Sequence, residues 1–172
     1  MIAKTRKTSL AARNVILILD NIRSVHNVGS IFRTAETLGI SQIYCVDTTP
    51  TPFDRFGRKR ADFVKVALGA EDILKWQYVS DGVGLVKKLK KEKLKREKFQ
   101  VIALEQSAKS VDYKNIEVSG RVAIILGNEV EGVSAGLLKL ADVIAEIPML
   151  GKKESLNVSV AGAVFLFRLL DR

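Results

Sequence analysis

Five short apolar runs recur along the chain, and each is almost continuously hydrophobic instead of alternating with polar residues. Such runs are typical of strands that are buried on both faces of a parallel sheet, because a strand with one solvated face alternates. The predicted strands cover residues 15–19, 43–46, 101–104, 122–126 and 143–147.

Segments with helical spacing lie between these runs. The predicted helices cover residues 29–38, 81–98, 134–141 and 155–170. Gly39 closes the first, and Ser134 and Ser155 precede the last two, as helix boundary residues do. The alternation of strands and helices predicts an α/β fold, in which a parallel sheet has helices on both faces. The segment around Trp76 and Tyr78 is predicted only to connect these elements.

The last predicted helix has almost no polar face. A helix that is apolar on every side must be covered on every side. The small residues Ala161, Gly162 and Ala163 would let another backbone approach closely. We therefore expect a second copy of the chain to supply part of the cover, with burial inside one chain as the alternative.

Composition limits the class of protein. The chain has 172 residues, of which 47% are hydrophobic, and this predicts one domain over residues 1–172 that needs no disulfide or structural metal. The single cysteine, Cys45, lies in an apolar run, which predicts a buried thiol and a reducing, cytoplasmic setting. The longest strongly apolar stretch is interrupted by Arg168 and is shorter than the roughly 20 residues that span a bilayer, so no membrane segment is expected.

The basic residues are unevenly distributed. Lys and Arg number 28 against 19 Asp and Glu, a net charge of +9. Clusters lie at residues 55–60 and 85–98 and in a predicted basic N-terminal arm over residues 1–13, which holds Lys4, Arg6, Lys7 and Arg13. Phosphate backbones favour such clusters through counterion release, so the distribution indicates a nucleic-acid partner. For 85–98 alone, a solvated helix face is an equally good interpretation.

Candidate chemistry is expected in the loops that follow the strands, because ligands of open α/β sheets collect at the carboxyl ends of parallel strands. In the first such loop a helix is expected to begin near Val28, and a plain N-cap is the alternative interpretation of Asn27. Gly29 and Arg33 would then share a face, and the helix amides and the arginine could meet one anionic group. A surface position for Arg33 is the alternative.

Two later loops also carry polar residues. In LGNEVEGVS, Gly127 and Gly132 bracket Glu129, although a plain turn explains the same pattern. In IPMLGKKESLNVSVAG, Ser155 and Asn157 place polar groups at the mouth of the apolar helix. Buried polar groups need partners, so a ligand is expected there, while capping of the helix would explain Ser155 equally well.

Several familiar sites are excluded by the sequence. There is no Walker A sequence, and Gly82 and Gly84 lack the third glycine of a dinucleotide-binding loop. His26 is the only histidine and has no cysteine cluster beside it, so neither a zinc site nor a Ser-His-Asp triad can be assembled. We expect His26 to form loop hydrogen bonds, and we expect no bound metal.

Taken in order, HNVGSIFRTAETLG, LGNEVEGVS and IPMLGKKESLNVSVAGA resemble the three motifs of SpoU-type (TrmH-like) RNA 2′-O-methyltransferases of the SPOUT superfamily. The resemblance extends from about residue 15 to 170, and SLNVS is its most specific part. It implies a SPOUT fold with a C-terminal trefoil knot, a homodimer, S-adenosylmethionine as cofactor, and methyl transfer to a ribose 2′-hydroxyl of tRNA or rRNA.

The resemblance also implies roles for individual residues. Arg33 matches the catalytic arginine and Asn27 the asparagine that supports it. Positions near the reacting centre are matched by Glu129, Ser155 and Asn157. Cofactor-binding positions are matched by Leu104, Gly127, Ile147 and Leu156. The chain departs from many relatives at Val130, where they have glycine.

The chemistry of the reaction leaves the role of Arg33 open. A ribose hydroxyl is a poor nucleophile until its proton is drawn away. Arginine, with a pKa above about 12, normally stays protonated. Arg33 is therefore interpreted either as a group that orients the ribose and stabilises its alkoxide or, in a strongly perturbing site, as the base itself.

Two alternative functions are considered. The basic clusters alone would suit a non-catalytic RNA-binding protein, but this reading leaves the polar residues of the three motifs unexplained. A SPOUT base methyltransferase is the second alternative, and the asparagine-to-arginine spacing of the first motif favours the ribose. The lack of a separate N-terminal RNA-binding domain in this sequence favours tRNA over rRNA.

Overall fold

The computed structural model describes residues 15–91, 98–118 and 120–170. The strands are β1 (Val15–Asp20), β2 (Gln42–Val46), β3 (Trp76–Val79), β4 (Phe99–Leu104), β5 (Val111–Asp112), β6 (Arg121–Leu126) and β7 (Val143–Glu146). Within these residues they form one seven-stranded sheet in the order β3-β2-β1-β6-β4-β7-β5, and every pairing is parallel.

Helices cover both faces of this sheet. They are α1 (Val25–Leu38), α2 (Ala61–Ala67), α3 (Ala70–Ile73), α4 (Gly82–Lys91), α5 (Ala135–Leu138) and α6 (Val158–Leu169), with a 3-10 turn at Tyr113–Asn115. The buried hydrophobic side chains of α1, α2, α3 and α6 belong to one cluster, and those of α4 and α5 belong to a second. The predicted α/β fold is confirmed.

The central strands explain why the apolar runs are continuous. All six residues of β1 are buried. Leu17 and Leu19 belong to the first cluster, whereas Ile16 and Ile18 belong to the second, because successive side chains of a strand point to opposite faces. Both faces of the strand meet helices, so the residues before Asp20 are apolar on both faces.

The first helix begins four residues earlier than predicted. Ser24 is the N-cap of α1, and its hydroxyl oxygen accepts the backbone N–H of Asn27 at 3.2 Å. The alternative interpretation of Asn27 as a plain N-cap was therefore wrong, and Asn27 lies in the first helical turn. His26, expected in a loop, lies in the same turn and is exposed. The predicted end is confirmed, since Gly39 has a left-handed φ of 70°.

The last helix begins later than predicted. Asn157 is its N-cap, and its side-chain oxygen accepts the N–H of Ser159 at 2.9 Å, so Ser155 does not cap α6. Helix α5 is also shorter than the predicted 134–141. Helix α4 is described up to Lys91, and residues 92–97 of the predicted 81–98 lie outside the described residues.

The close contact predicted for Gly162 is made inside the chain. A Cβ atom at this position would lie 2.9 Å from Cδ1 of Leu126, on β6. Burial within one chain therefore explains Gly162, and its assignment to a contact with a second copy was wrong. Side chains elsewhere on and beside α6 are 38–49% exposed: Leu156, Val160, Val164 and Phe167.

Two further expectations concern the single cysteine and membrane-spanning segments. Cys45 is a buried free thiol, as predicted, and burial raises its pKa to about 12. Among the residues that the structure describes, no helix is both long and apolar enough to cross a membrane. The predicted basic arm at 1–13 lies outside the described residues.

Candidate active site

A cavity of about 450 Å³ lies at the carboxyl edge of the sheet. Cavities of about 300–1,000 Å³ suit small molecules of cofactor size. Its wall comes from the ends of β4, β6 and β7 and from the segment between β7 and α6. All four residues predicted to bind a cofactor line it: Leu104, Gly127, Ile147 and Leu156. The structure therefore brings together residues that are far apart in the sequence.

The loop after β6 forms one side of this cavity. The N–H of Asn128 donates to the carbonyl of Gly132 at 2.9 Å, and the reverse bond measures 3.0 Å. A Cβ on Gly127 would lie 2.3 Å from the carbonyl carbon of Gly132, so only glycine fits there. Gly132 has a φ of 71°, which side chains rarely adopt. The two glycines thus close the loop that presents Glu129.

Glu129 accepts three hydrogen bonds from the start of α1. Its Oε1 accepts from Nδ2 of Asn27 at 2.8 Å and from the backbone N–H of Ser24 at 3.3 Å, while its Oε2 accepts from the N–H of Arg23 at 3.2 Å. Partial burial raises the pKa of Glu129, but these hydrogen bonds outweigh it, and the pKa is lowered from 4.5. The carboxylate is therefore held in its charged form.

Asn157 extends this contact into the third motif. Its Nδ2 donates to Oδ1 of Asn27 at 3.0 Å, and its Oδ1 accepts from the hydroxyl and the N–H of Ser159 at 2.7 and 2.9 Å. We call the series Ser159–Asn157–Asn27–Glu129 the amide relay. It fixes the Asn27 carboxamide, because its oxygen accepts from Asn157 and its NH₂ group donates to the Glu129 carboxylate.

The predicted anion site at the start of α1 is occupied by the protein itself. The amides of Arg23 and Ser24 face the carboxylate of Glu129, and a negative charge is stabilised at a helix N-terminus. Gly29 does not face this region, because a Cβ there would lie 3.0 Å from Cβ of Val66, on α2. The expectation that Gly29 and Arg33 meet one anion was therefore wrong.

Arg33 lies on the exposed face of α1. Residues His26, Ser30 and Arg33 follow the spacing of one helical face. The Arg33 side chain is exposed, does not line the cavity, and forms no hydrogen bond or ion pair with the described residues. Its guanidinium is therefore available to a partner that approaches from solvent.

Ser155 and Val130 complete the rim. Ser155 lines the cavity, is exposed and forms no hydrogen bond with residues that the structure describes. Val130 is 84% exposed, and its N–H donates to Oδ1 of Asn128 at 2.8 Å. Since its φ is not positive, the backbone at this position does not require glycine.

Some contributors to the site were not predicted. They include the backbone amides of Arg23 and Ser24, the Ser159 side chain, and Gln106, whose Nε2 donates to the carbonyl of Glu154 at 2.8 Å. The three-residue spacing from Ser24 to Asn27 was a usable capping signal. The loop residues belong to no periodic pattern, so the sequence offered no comparable signal for them.

No metal cluster is found among the described residues, since no three His, Cys, Asp or Glu side chains are placed to share an ion. The expected absence of a metal stays a prediction.

Residues 14–167 match the model of the SpoU rRNA Methylase family. The chain belongs to this family. Among its SpoU relatives is a tRNA (guanosine(18)-2′-O)-methyltransferase of Aquifex aeolicus, which is 29% identical over 90% of this chain and 68% of that enzyme. A 23S rRNA (guanosine-2′-O-)-methyltransferase of Xylella fastidiosa is 33% identical over 89% of this chain, which spans 57% of that enzyme's length.

A solved structure of the same kind is similar to this SpoU protein. An AdoMet-bound rRNA methyltransferase from Sinorhizobium meliloti superposes with a TM-score of 0.77 at 28% identity, covering 90% of this chain and 55% of that one. The parallel sheet and its helices are therefore those of the SpoU fold, and the family inferred from the three motifs is confirmed.

Proposed function

We propose that this protein is an S-adenosylmethionine-dependent RNA methyltransferase that acts on a ribose 2′-hydroxyl. The amide relay carries the proposal, because it joins residues of all three motifs at the rim of one cavity. The names of the relatives support it, since one acts on tRNA and another on 23S rRNA. A protein that only bound RNA would not need such a cavity beside the relay.

The cavity has the chemistry that the cofactor requires. Apolar side chains of Leu104, Leu126 and Met149 suit the adenine and the methionine chain, and exposed backbone groups suit their polar edges. Carboxylates of Glu129, Glu146 and Glu154 line the same space, and negative charge is favourable beside a sulfonium and an ammonium. When bound there, S-adenosylmethionine supplies an activated methyl group.

Arg33 is assigned to the RNA side of the reaction. It orients the ribose and its phosphate and stabilises the alkoxide that develops on the 2′-oxygen, as a fixed cationic donor does for an oxyanion. Support comes from its exposed guanidinium, which makes no ion pair with the described residues. Ser155, at the cavity rim, is assigned to the reacting ribose.

Asn27 and Asn157 are assigned to positioning. Asn27 is held by Glu129 on one side and by Asn157 on the other, so its helical turn cannot rotate without breaking the relay. The relay therefore fixes the direction in which α1 presents Arg33. Orientation of this kind can contribute several kcal/mol to a bimolecular reaction.

A C-terminal trefoil knot is also proposed. Leu104 of β4 and Val111 of β5 are both paired with Ala145 of β7, which lies between these strands. The connection at residues 105–110 therefore crosses beyond the carboxyl end of β7. The chain leaves that end toward α6, and Gln106 is hydrogen-bonded to Glu154 on the departing segment. This arrangement supports a chain threaded under 105–110.

A homodimer is proposed for the face next to α6. Leu156, Val160, Val164 and Phe167 remain 38–49% exposed although they lie on or beside a largely apolar helix. Monomers in water rarely expose a contiguous apolar patch larger than a few hundred Å². We call these four residues the α6 stripe, and a second copy of the chain is the occupant that the family resemblance implies.

A cytoplasmic location and an RNA substrate are also proposed. A cytoplasmic enzyme is supported by the buried free thiol of Cys45. The proposed substrate is tRNA or rRNA, since the relatives named above include both tRNA and rRNA enzymes. The proposed single domain with a basic arm at 1–13 would use that arm to contact RNA phosphates.

One experiment tests the reaction. The purified protein is incubated with total RNA and labelled S-adenosylmethionine, the RNA is fractionated and digested, and the labelled nucleoside is identified. We expect a 2′-O-methylated nucleoside, with tRNA as its carrier, and a strongly reduced label with Arg33→Ala. A label on the base would favour the base methyltransferase, and RNA binding without any transfer would favour the non-catalytic protein.

A further inference from the structure

A second depression lies at the carboxyl edge of the sheet, near the ends of β2 and β3. Three aromatic side chains and two arginines line it: Phe53, Phe56, Tyr78, Arg55 and Arg60. Phe56 is 66% exposed and Tyr78 is 50% exposed. Exposed aromatic rings among arginines are the composition of sites that stack the bases of single-stranded nucleic acids.

A rigid turn holds Phe56 at this surface. Phe53 and Lys59 form an antiparallel bridge, and the Asp54 carboxylate accepts the N–H groups of Phe56 and Arg58 at 2.8 and 2.9 Å. Gly57 has a φ of 76°, which permits the tight reversal. The ring is therefore exposed by a preformed turn, so little conformational entropy is lost when a ligand stacks on it.

The cations around Phe56 are not equivalent. Arg58 lies 5.1 Å from the centroid of the Phe56 ring and is paired with Asp54 at 2.8 Å, and Arg60 is paired with Asp62 at 3.0 Å. Arg55 lies 4.8 Å from the centroid of Phe56 and makes no ion pair with the described residues. Its charge is therefore available to an anion, and its guanidinium plane can stack on a base or move aside for one.

This surface is fixed to the candidate active site. The hydroxyl of Thr49 accepts the N–H of Ile22 at 3.1 Å and donates to the carbonyl of Leu19 at 2.8 Å. Thr48 donates to Oδ1 of Asn21 at 2.9 Å. Residues 21–24 also supply the amides that bind Glu129. A strand of RNA bound near Phe56 would thus be held in a fixed relation to the amide relay.

We propose that Phe56 and Arg55 bind an unpaired nucleotide of the RNA substrate, with its base stacked on the Phe56 ring and its phosphate beside Arg55. The proposal rests on the proposed function, because it assigns a second contact to the same RNA. A protein partner is disfavoured, since an unpaired arginine beside the ring suits a polyanion better than an apolar surface.

The test measures RNA affinity by fluorescence anisotropy. The probes are a single-stranded oligoribonucleotide of about 12 nucleotides and a duplex of the same sequence. Phe56→Ala should weaken single-strand binding by about 5- to 150-fold, which corresponds to ~1–3 kcal/mol at 1.4 kcal/mol per factor of ten. Duplex binding should change little, because paired bases do not offer their faces.

Matched variants make the result specific. Phe56→Tyr keeps the ring and should bind as the wild type does. Ile73→Ala removes another exposed apolar side chain, 71% exposed on α3, and should have no effect. Equal single-strand affinity for Phe56→Ala and Ile73→Ala would overturn the proposal, as would equal losses for the two probes. If the wild type neither bound nor methylated RNA, the proposed function would fail as well. Cofactor affinity, measured by calorimetry, should be unchanged by Phe56→Ala.

Discussion

Nδ2 of Asn27 donates a 2.8 Å hydrogen bond to Oε1 of Glu129 across a separation of 102 residues. The bond joins the first turn of α1 to the loop after β6, and the same carboxylate accepts two backbone amides that precede the helix. Glu129 therefore acts as an internal anion at a helix N-terminus. Its charge stabilises the contact between the loop after β6 and the start of α1.

Glu129→Gln should lower the free energy of unfolding by about 1 kcal/mol at neutral pH. The value is below the roughly 1.5–3 kcal/mol that is typical of hydrogen bonds to a charged group, because the side chain is partly exposed to solvent. The amide can still accept at one oxygen, but its NH₂ would face a backbone donor. Urea unfolding compares the two proteins.

The same pair of proteins tests a pH dependence. Because the pKa of Glu129 is lowered in the folded protein, its stabilisation is fully present above the ordinary value of 4.5 and is lost as the pH falls through the lowered pKa. The difference between wild type and Glu129→Gln should therefore be constant above 4.5 and shrink below it. Glu131→Gln, which removes a 3.6 Å surface ion pair with Arg23, is the control. A difference that grows at low pH would contradict the assignment.

Asn157 has two roles that substitutions can separate. Asn157→Asp keeps an oxygen for the N–H of Ser159, so the cap of α6 should survive with stability near wild type. It loses the donor to Oδ1 of Asn27 and places two oxygens together, so methyl transfer should fall. Asn157→Ala should lose the cap as well, at a cost of about 0.5–2 kcal/mol. Thermal unfolding and transfer rates are compared, and equal transfer by Asn157→Asp and wild type would remove the relay from the mechanism.

The central part of the fold was predictable because a strand that is buried on two faces is continuously apolar in the sequence. β1 and β6 are continuous apolar runs for that reason. β3 and β5 lie at the edges of the sheet, and the central residues of β3, Gln77 and Tyr78, are exposed. The order of the strands in the sheet has no such sequence pattern, since it depends on which strands pair across long separations in the chain.

The site was predictable as a set of loops but not as a geometry. The three motifs indicated Asn27, Glu129 and Asn157, and the structure joins them. The sequence could not give the directions of these side chains, because they depend on how α1 packs against its neighbours. Gly29 faces α2 instead of a ligand because Val66 packs against it.

Arg33→Ala should abolish most methyl transfer without harming the fold. Removing a guanidinium that stabilises the developing alkoxide should cost about 2.7–4 kcal/mol, or 10²–10³ in rate. Cofactor affinity should stay within a few-fold, because Arg33 does not line the cavity. Single-turnover rates and calorimetry check both statements. Arg33→Lys is the comparison, because it keeps the charge but not the planar guanidinium. Near-normal turnover of Arg33→Ala would exclude the proposed role.

RNA affinity should depend steeply on salt. Each phosphate contact contributes about −0.7 to −0.9 to the slope of log K against log salt. Replacing Lys4, Arg6 and Lys7 with alanine should flatten the slope by up to about 2–3 units. Lys90→Ala is the control, because Lys90 is already paired with Asp142 at 2.6 Å. An unchanged slope in the triple variant would show that the arm contacts no phosphate.

Dimerisation should depend on the α6 stripe and not on Gly162. Val160 is 49% exposed and lies in the first turn of α6, where a glutamate is compatible with the helix dipole. Val160→Glu should therefore leave the fold of each protomer intact while it places a charge in the proposed interface. Gly162→Leu should instead destabilise the protomer itself, by typically about 1–3 kcal/mol, because its side chain would meet Leu126.

Analytical ultracentrifugation at micromolar concentration distinguishes these effects. We expect the wild type at twice the 19.0 kDa mass of the chain, Val160→Glu shifted toward the monomer, and Ile73→Glu, a charge on another exposed apolar position, unchanged. Circular dichroism of Val160→Glu should show the secondary structure of the wild type and a cooperative unfolding transition, at a temperature lowered only by the loss of dimerisation. A wild type that sediments at 19.0 kDa would contradict the dimer, and the α6 stripe would then require a different partner.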